Sequence, residues 1–211
     1  KYANFKHMRE KIIRNIELEL RAEVFLSQFN DLLKKLKRQA RLISCTKRLS
    51  VMFLGGINNS SIDIRVRIDS NGKSEVVAKK GDFHAHDRME VSQGINKDQF
   101  VGIVKTFSIF GFHSKITERE NFVFDLDNDI NLTLVKAGKF FYVEIEKMSN
   151  KKEKKENKNK LLKIFSDLNL KPIKNKTEFN ELCERLSKYS DWFFDGSKKH
   201  FKKLLDMLSA Y

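Results

Sequence analysis

Two rhythms divide the chain. In "IELELRAEV" every second residue is apolar: Leu18 and Leu20 fall on one side of a strand, and Glu17, Glu19 and Arg21 on the other. The same two-residue period marks "RLISC", "KRLSVMFL", "IDIRVRID", "SEVVAKKG", "DRMEVSQ", "SKITERENFVFD", "DINLTLVK" and "KFFYVEIEKM" as strands, and "DSNGKS" supplies a hairpin turn. The other rhythm is helical. Phe5, Met8 and Ile12 share one face of residues 1–15, and Phe25, Phe29, Leu32, Leu33 and Leu36 share one face of "FLSQFNDLLKKLKR". A helix also opens near Asn96 and closes near Gly111. From residue 151 the tail reads as three more, around "KLLKIFSDLNL", "EFNELCERLSKY" and "KKHFKKLLDML". With about eight strands from these nine runs, the pattern predicts an α+β fold: a closed or nearly closed antiparallel sheet, taken as an eight-stranded antiparallel barrel over 1–148 with outer helices, and a basic linker with a helical tail (149–211) packed on the same domain.

The polar faces of the strands repeat one feature, paired charges set against paired apolar side chains, which in a one-sided sheet is an ordinary solvated wall. Arg65 and Arg67 oppose Ile64, Val66 and Ile68; Arg88 and Glu90 share a face with Ser92, opposite Met89 and Val91; Glu144 and Glu146 oppose Val143, Ile145 and Lys147. Helices are available to cover the apolar faces from outside, so the pattern leaves two arrangements open: a solvated outer wall of charges, or charged faces pointing inward into a barrel lumen. A dry lumen of this composition would be costly. Filled with water, a divalent metal and a polyanion, it is chemically sensible. Carboxylates suit hard cations such as Mg²⁺ or Mn²⁺, and arginine forks suit phosphate oxygens.

Composition narrows the classes. With 211 residues, 40% of them hydrophobic, 18 phenylalanines and a single proline, the chain buries a real core and is not a disordered one. Its formal net charge of +14 points to an anionic partner, although "KKEKKENKNK" (151–160) contributes much of it as a solvated segment. No apolar run is long enough to span a membrane. Residues 1–15 are too charged for a secretory signal, and the isolated Cys45 and Cys183 fit a reducing, cytoplasmic setting without zinc or thiol chemistry. His84 and His86 read as loop residues, Asp125, Asp127 and Asp129 as a turn, and Phe140, Phe141 and Tyr142 as packing.

Taken in order, the charged strands resemble the CYTH, or triphosphate tunnel metalloenzyme, superfamily. Its opening Glu-x-Glu-x-Lys strand corresponds to Glu17-Leu-Glu19-Leu-Arg21 and its "RxR" to Arg65-Val-Arg67. Its "K…G" strand end corresponds to Lys79-Lys80-Gly81, its "RxE" to Arg88-Met-Glu90, its basic strand to Lys115 and Arg119, and its closing strand to Gly138 through Glu144-Ile-Glu146. The resemblance covers about residues 14–148 and implies a triphosphate tunnel. It assigns metal to Glu17, Glu19, Glu90, Glu144 and Glu146, with catalysis resting on all of these but Glu90. Phosphates fall to Arg21, Arg65, Arg67, Lys79, Arg88, Lys115 and Arg119. The sequence departs from the pattern at Arg21 (usually lysine), Ser92 (often an acid), Thr117 (often basic) and Thr133 (often aspartate). The implied activity is Mg²⁺- or Mn²⁺-dependent hydrolysis of tripolyphosphate or a nucleoside triphosphate. A class IV-type adenylyl cyclase and an RNA 5′-triphosphatase are rivals on the same fold, and a non-catalytic polyanion- or RNA-binding module is a rival of another class. No membrane partner is implied, and the oligomeric state stays open.

Overall fold

The structure is a computed structural model that describes residues 16–57, 60–81, 87–127 and 129–211, with the side chains of 57, 60, 87, 88 and 127 outside the description. The helix expected over 1–15, and His84 and His86, lie outside the described residues. The elements run β1 (Ile16–Val24), α1 (Leu26–Gln39), β2 (Arg41–Ile57), β3 (Ser60–Asp69), β4 (Ser74–Lys80), β5 (Asp87–Ile95), a 3-10 turn (Lys97–Gln99) and α2 (Phe100–Ser108). They continue with β6 (His113–Asp127), β7 (Ile130–Ala137), β8 (Phe140–Ser149), α3 (Lys154–Asp167), α4 (Lys176–Tyr189), β9 (Trp192–Phe193) and α5 (Lys198–Leu208).

Every strand pairing is antiparallel, in the order β2-β3-β4-β5-β1-β8-β7-β6, and β6 returns to β2 to close the eight-stranded barrel. The short β9 adds to β6 at Lys115 and Ile116. "RLISC" and "KRLSVMFL", which read as two strands, form one, because no turn residue separates them; the register slips once, between Leu42 and Ser44. The "DSNGKS" turn forms as its sequence dictates. Gly72 takes φ +80°, and the Asp69 carboxylate accepts from the Asn71 and Lys73 amides at 2.9 and 3.2 Å. Asp129, at φ 65°, sits in the β6–β7 turn.

The outward faces are apolar and helix-covered. Leu18, Leu20, Ala22 and Val24 of β1 pack with Phe29, Leu32 and Leu36 of α1 and with Leu161 and Phe165 of α3. Elsewhere on the wall, Leu49, Val51, Phe53, Val66 and Ile68 pack with Phe100 and Val104 of α2 and Leu204 and Leu208 of α5. Parity then forces the opposite side chains of the same strands into the lumen.

Helix α4 departs from this scheme. Its Leu182 and Leu186 pack on Val135, Ala137 and Tyr142. Tyr142 has the same parity as Glu144 and Glu146, so these contacts are made with the inner face. The helix lies over one mouth of the barrel rather than on its outer wall. Two links tie the segment to β1: the Ile173 amide donates to the Arg21 carbonyl at 2.7 Å, and Arg185 pairs with Glu23.

Because Phe165 is buried between α3 and the barrel wall, Phe165→Ala should cost about 3–5 kcal/mol of unfolding free energy. Urea denaturation followed by circular dichroism measures this. A change below about 0.5 kcal/mol, the usual size of a surface substitution, would mean that α3 is not part of the core.

Candidate functional site

The lumen is a ladder of ion pairs made across strands. At one level Lys79 of β4 donates to Glu17 of β1 at 2.7 Å and lies 2.6 Å from Glu90 of β5. At the next, Arg21 pairs with Glu19 two residues earlier and donates through Nε to Glu144 of β8 at 2.7 Å. Register explains the contacts, since Glu19 lies opposite Glu146, and Arg21 opposite Glu144. On β3, Arg65 grips Asp63 through Nε and Nη2 at 2.6 to 3.1 Å, and Arg67 donates to Glu75 of β4 at 2.9 Å. The structure thus brings Glu17, Glu19, Glu90, Glu144 and Glu146 into one interior with Arg21, Arg65, Arg67, Lys79, Lys115 and Arg119. For Arg88 it fixes only the backbone, opposite Glu17. Asp63 and Glu75 were not singled out in the sequence, although each alternates with a residue that was.

Lys115 and Arg119 meet a partner from the tail. Asp191, just beyond α4, has a carboxylate 1% exposed that takes Lys115 Nζ at 2.8 Å and Arg119 Nη2 at 2.5 Å. Ser187 and Ser190 add oxygens to the same two cations at 3.1 and 3.3 Å. The Phe179 ring lies 5.3 Å from the Arg21 guanidinium carbon, a cation–π contact. The tail therefore joins the interior, where the sequence suggested packing or a partner surface.

Charge balance differs along the lumen. Burial pushes Glu19 up, but Arg21, Lys79 and Arg65 outweigh it and hold its carboxyl below the ordinary value. Glu17 is raised to about 7 by burial, against the pull of Lys79 and with repulsion from Glu19 and Glu90. Glu146 is raised to about 8 by burial and by the charges of Glu17, Glu19 and Glu144. Acids outnumber cations at this end, and a proton fills the deficit. Lys79 is raised despite burial because Glu19, Glu17 and Glu90 surround it.

Two spaces open from this ladder. One, about 280 Å³, lies under α4 and is bordered by Arg21, Arg48, Arg65, Arg67, Lys115 and Arg119, with Met52, Leu54, Phe179 and Leu182 as its apolar part. The other, about 780 Å³, is bordered by Glu17, Glu90, Glu146, Asp125 and Asp129. Of the departing positions, Thr117 is buried and lines the first, whereas Ser92 is exposed and borders the second. Arg48 was missed by sequence reasoning. Its signal was parity with Thr46 and Ser50, opposite Leu49 and Val51.

The five glutamates assigned to metal do not form a ready-made ligand cluster: among the described residues no three His, Cys, Asp or Glu side chains converge as metal ligands. The cause is local, because Lys79 and Arg21 hold Glu17, Glu90, Glu19 and Glu144. The donor set nevertheless suits a hard divalent ion. It is all carboxylate oxygen, and burial raises two of its members, Glu17 to about 7 and Glu146 to about 8.

No protein-family model and no curated protein matches the sequence. Solved structures do match in shape. The PH1012 protein of Pyrococcus horikoshii is 18% identical, with a TM-score of 0.58 over 74% of this chain and 91% of that one. A candidate adenylate cyclase from Vibrio parahaemolyticus is 13% identical, with a TM-score of 0.61 over 81% of this chain and 99% of the other. A chain of the Schizosaccharomyces pombe Mediator head module is 11% identical, with a TM-score of 0.54 over 74% and 97%. Such distant likenesses establish architecture, and one architecture hosts several activities. What they show for this chain is the fold, a closed antiparallel barrel with helices outside.

Proposed function

We propose that the chain is a divalent-metal-dependent hydrolase of triphosphates, acting on tripolyphosphate or a nucleoside triphosphate inside the lumen. The observation that carries this reading is the juxtaposition, in one interior, of a carboxylate group short of positive charge and a set of arginines and lysines. These come from strands far apart in sequence. A polyanion and a cation entering together satisfy both halves at once.

Glu17, Glu19, Glu144 and Glu146, with Glu90 beside them, would hold the metal. Bound there, Mg²⁺ or Mn²⁺ supplies polarisation of a phosphoryl oxygen and neutralises charge. Arg21, Arg65, Arg67, Lys79, Lys115 and Arg119 bind phosphate oxygens by exchanging carboxylate partners for phosphate ones. Such an exchange is feasible because buried pairs gain little over their desolvation, so the pairs are not deep traps. During reaction the guanidinium groups stabilise the charge spreading over the transferred phosphoryl oxygens. One of the glutamates would orient the attacking water. Helix α4 keeps bulk water from its mouth of the lumen. The apolar side chains under α4 favour a substrate with an organic portion, a nucleoside triphosphate, over the bare inorganic chain.

With Mg²⁺ or Mn²⁺ the protein should release orthophosphate from tripolyphosphate or ATP, and EDTA should stop it. Glu144→Gln should lower kcat by about 100-fold or more, the scale seen when one stabilising group is removed from a reacting centre. Separation of the products decides the reaction. Cyclic AMP with pyrophosphate would make the protein a cyclase, and no turnover of any triphosphate with either metal would make it a binding module.

The raised acids predict a pH effect on the metal-free protein. The folded state keeps the Glu146 proton up to about 8, whereas an ordinary glutamate loses it near 4.5. Between those values the folded state binds more protons, so the contribution to stability is full below 4.5 and lost as pH rises through 8. Glu146→Gln mimics the protonated form. Its Tm should match the parent at pH 4.5 and exceed it at pH 8.5 by on the order of 5 °C. A variant less stable than the parent at pH 8.5 would show that Glu146 is not short of charge.

A further inference from the structure

Every charged motif residue in the cavity under α4 has a carboxylate partner. Arg21 has Glu144, Arg65 has Asp63, Arg67 has Glu75, and Lys115 and Arg119 share Asp191. Arg48 lines the same cavity and, among the described residues, has no ion pair. On β2 it lies directly opposite Arg119 of β6 and Asp69 of β3. Asp69 turns one carboxylate oxygen to the Asn71 and Lys73 amides of the adjoining turn and makes no ion pair with Arg48 among the described residues.

A second polar group in the same wall is unsatisfied. Asn121 is 4% exposed, and its Nδ2 has no hydrogen-bond partner. It borders the cavity and lies opposite Thr46, one inward position along from the Arg48–Arg119 pair. A buried amide donor without an acceptor is costly, as is an arginine beside other arginines. Both costs disappear if an anionic oxygen sits between the two side chains.

We infer that Arg48 and Asn121, on the β2–β6 seam, form a further binding subsite for a phosphoryl group of the bound triphosphate. The subsite deepens the triphosphate reading and rests on it. It lies outside the charged motifs, on strands that contribute through Lys115 and Arg119 alone to the resemblance. Arg48 supplies a fork to one phosphoryl oxygen, and Asn121 donates its free N–H to a neighbouring oxygen of the same group. The electrostatics agree: burial and the adjacent Arg67 hold Arg48 below its ordinary basicity, and an arriving phosphate reverses that strain.

The test uses the full chain with Mg²⁺ and tripolyphosphate as the probe. Arg48→Gln should raise KM by about tenfold or more, as expected for loss of a charge-assisted hydrogen bond, with a smaller change in kcat. Arg48→Lys should recover part of the loss, and Asn121→Leu should raise KM by about threefold or more. Melts of the metal-free variants separate binding from structure. Arg48→Gln should melt at or above the parent temperature, because it removes an unpaired buried charge. A parental KM in Arg48→Gln would overturn the subsite while leaving the triphosphate reading intact. Failure of Arg48→Gln to fold would make Arg48 structural and likewise overturn it. No turnover by the parent chain would overturn both.

Discussion

Buried charge that must be paired governs this molecule. Each strand alternates, so burying its apolar side against a helix commits its polar side to the lumen, and those side chains are ionised groups. An isolated charge in such a place costs several kcal/mol, so the lumen folds only if acids and bases meet across strands. Lys79 between Glu17 and Glu90, Arg21 between Glu19 and Glu144, and Asp191 between Lys115 and Arg119 are the forms this takes. The closing of the barrel, the position of α4 and the chemistry of the cavity all follow from that pairing.

The same pairs explain how an interior suited to polyanions stays folded when it holds none. The carboxylates take their cations at distances typical of charge-assisted hydrogen bonds. At Glu146, buried beside Glu17, Glu19 and Glu144, a proton serves in place of a base. On the triphosphate reading proposed above, these carboxylates and that proton are stand-ins that a phosphate and a cation would displace. Arg48 and Asn121 are where the interior supplies no stand-in, which is why they carry more information than their well-paired neighbours.

Alternation made the fold legible. Leu18 and Leu20 against Glu17 and Glu19, or Val143 and Ile145 against Glu144 and Glu146, state which side of a strand is which, but alternation alone leaves open whether the charged side meets solvent or a lumen. The order of charged pairs then identified most of the interior residues. Partnership across strands was not legible, because it depends on register. Asp63 and Glu75 show alternation like their neighbours, but nothing local says that Arg65 and Arg67 will take them. Asp191 was further out of reach. It stands in an irregular segment after α4, and only the docking of Leu182 and Leu186 on the inner wall carries it to Lys115 and Arg119. Arg48 sits beside the exposed Lys47, so composition alone merges a surface lysine with an interior arginine.

Net charge needs the same separation of inside from outside. The formal +14 of the chain is not concentrated in the lumen, where most cations are matched by a carboxylate. Much of the excess stands in water, on Lys151, Lys152, Lys155 and Lys160 around α3 and on Lys198, Lys199, Lys202 and Lys203 of α5. The two populations therefore act over different ranges. Surface lysines draw anions toward the molecule through a field that salt screens within about 10 Å at 0.1 M. Interior cations act only at hydrogen-bond distance, once a carboxylate has been displaced, and there geometry rather than total charge decides what stays. A chain this basic would attract many anions. On the triphosphate reading, a lumen this nearly balanced would favour those with enough negative charge per unit length to outcompete Glu144, Glu75 and Asp191 together, a condition that a chain of linked phosphates would meet where a single carboxylate would not.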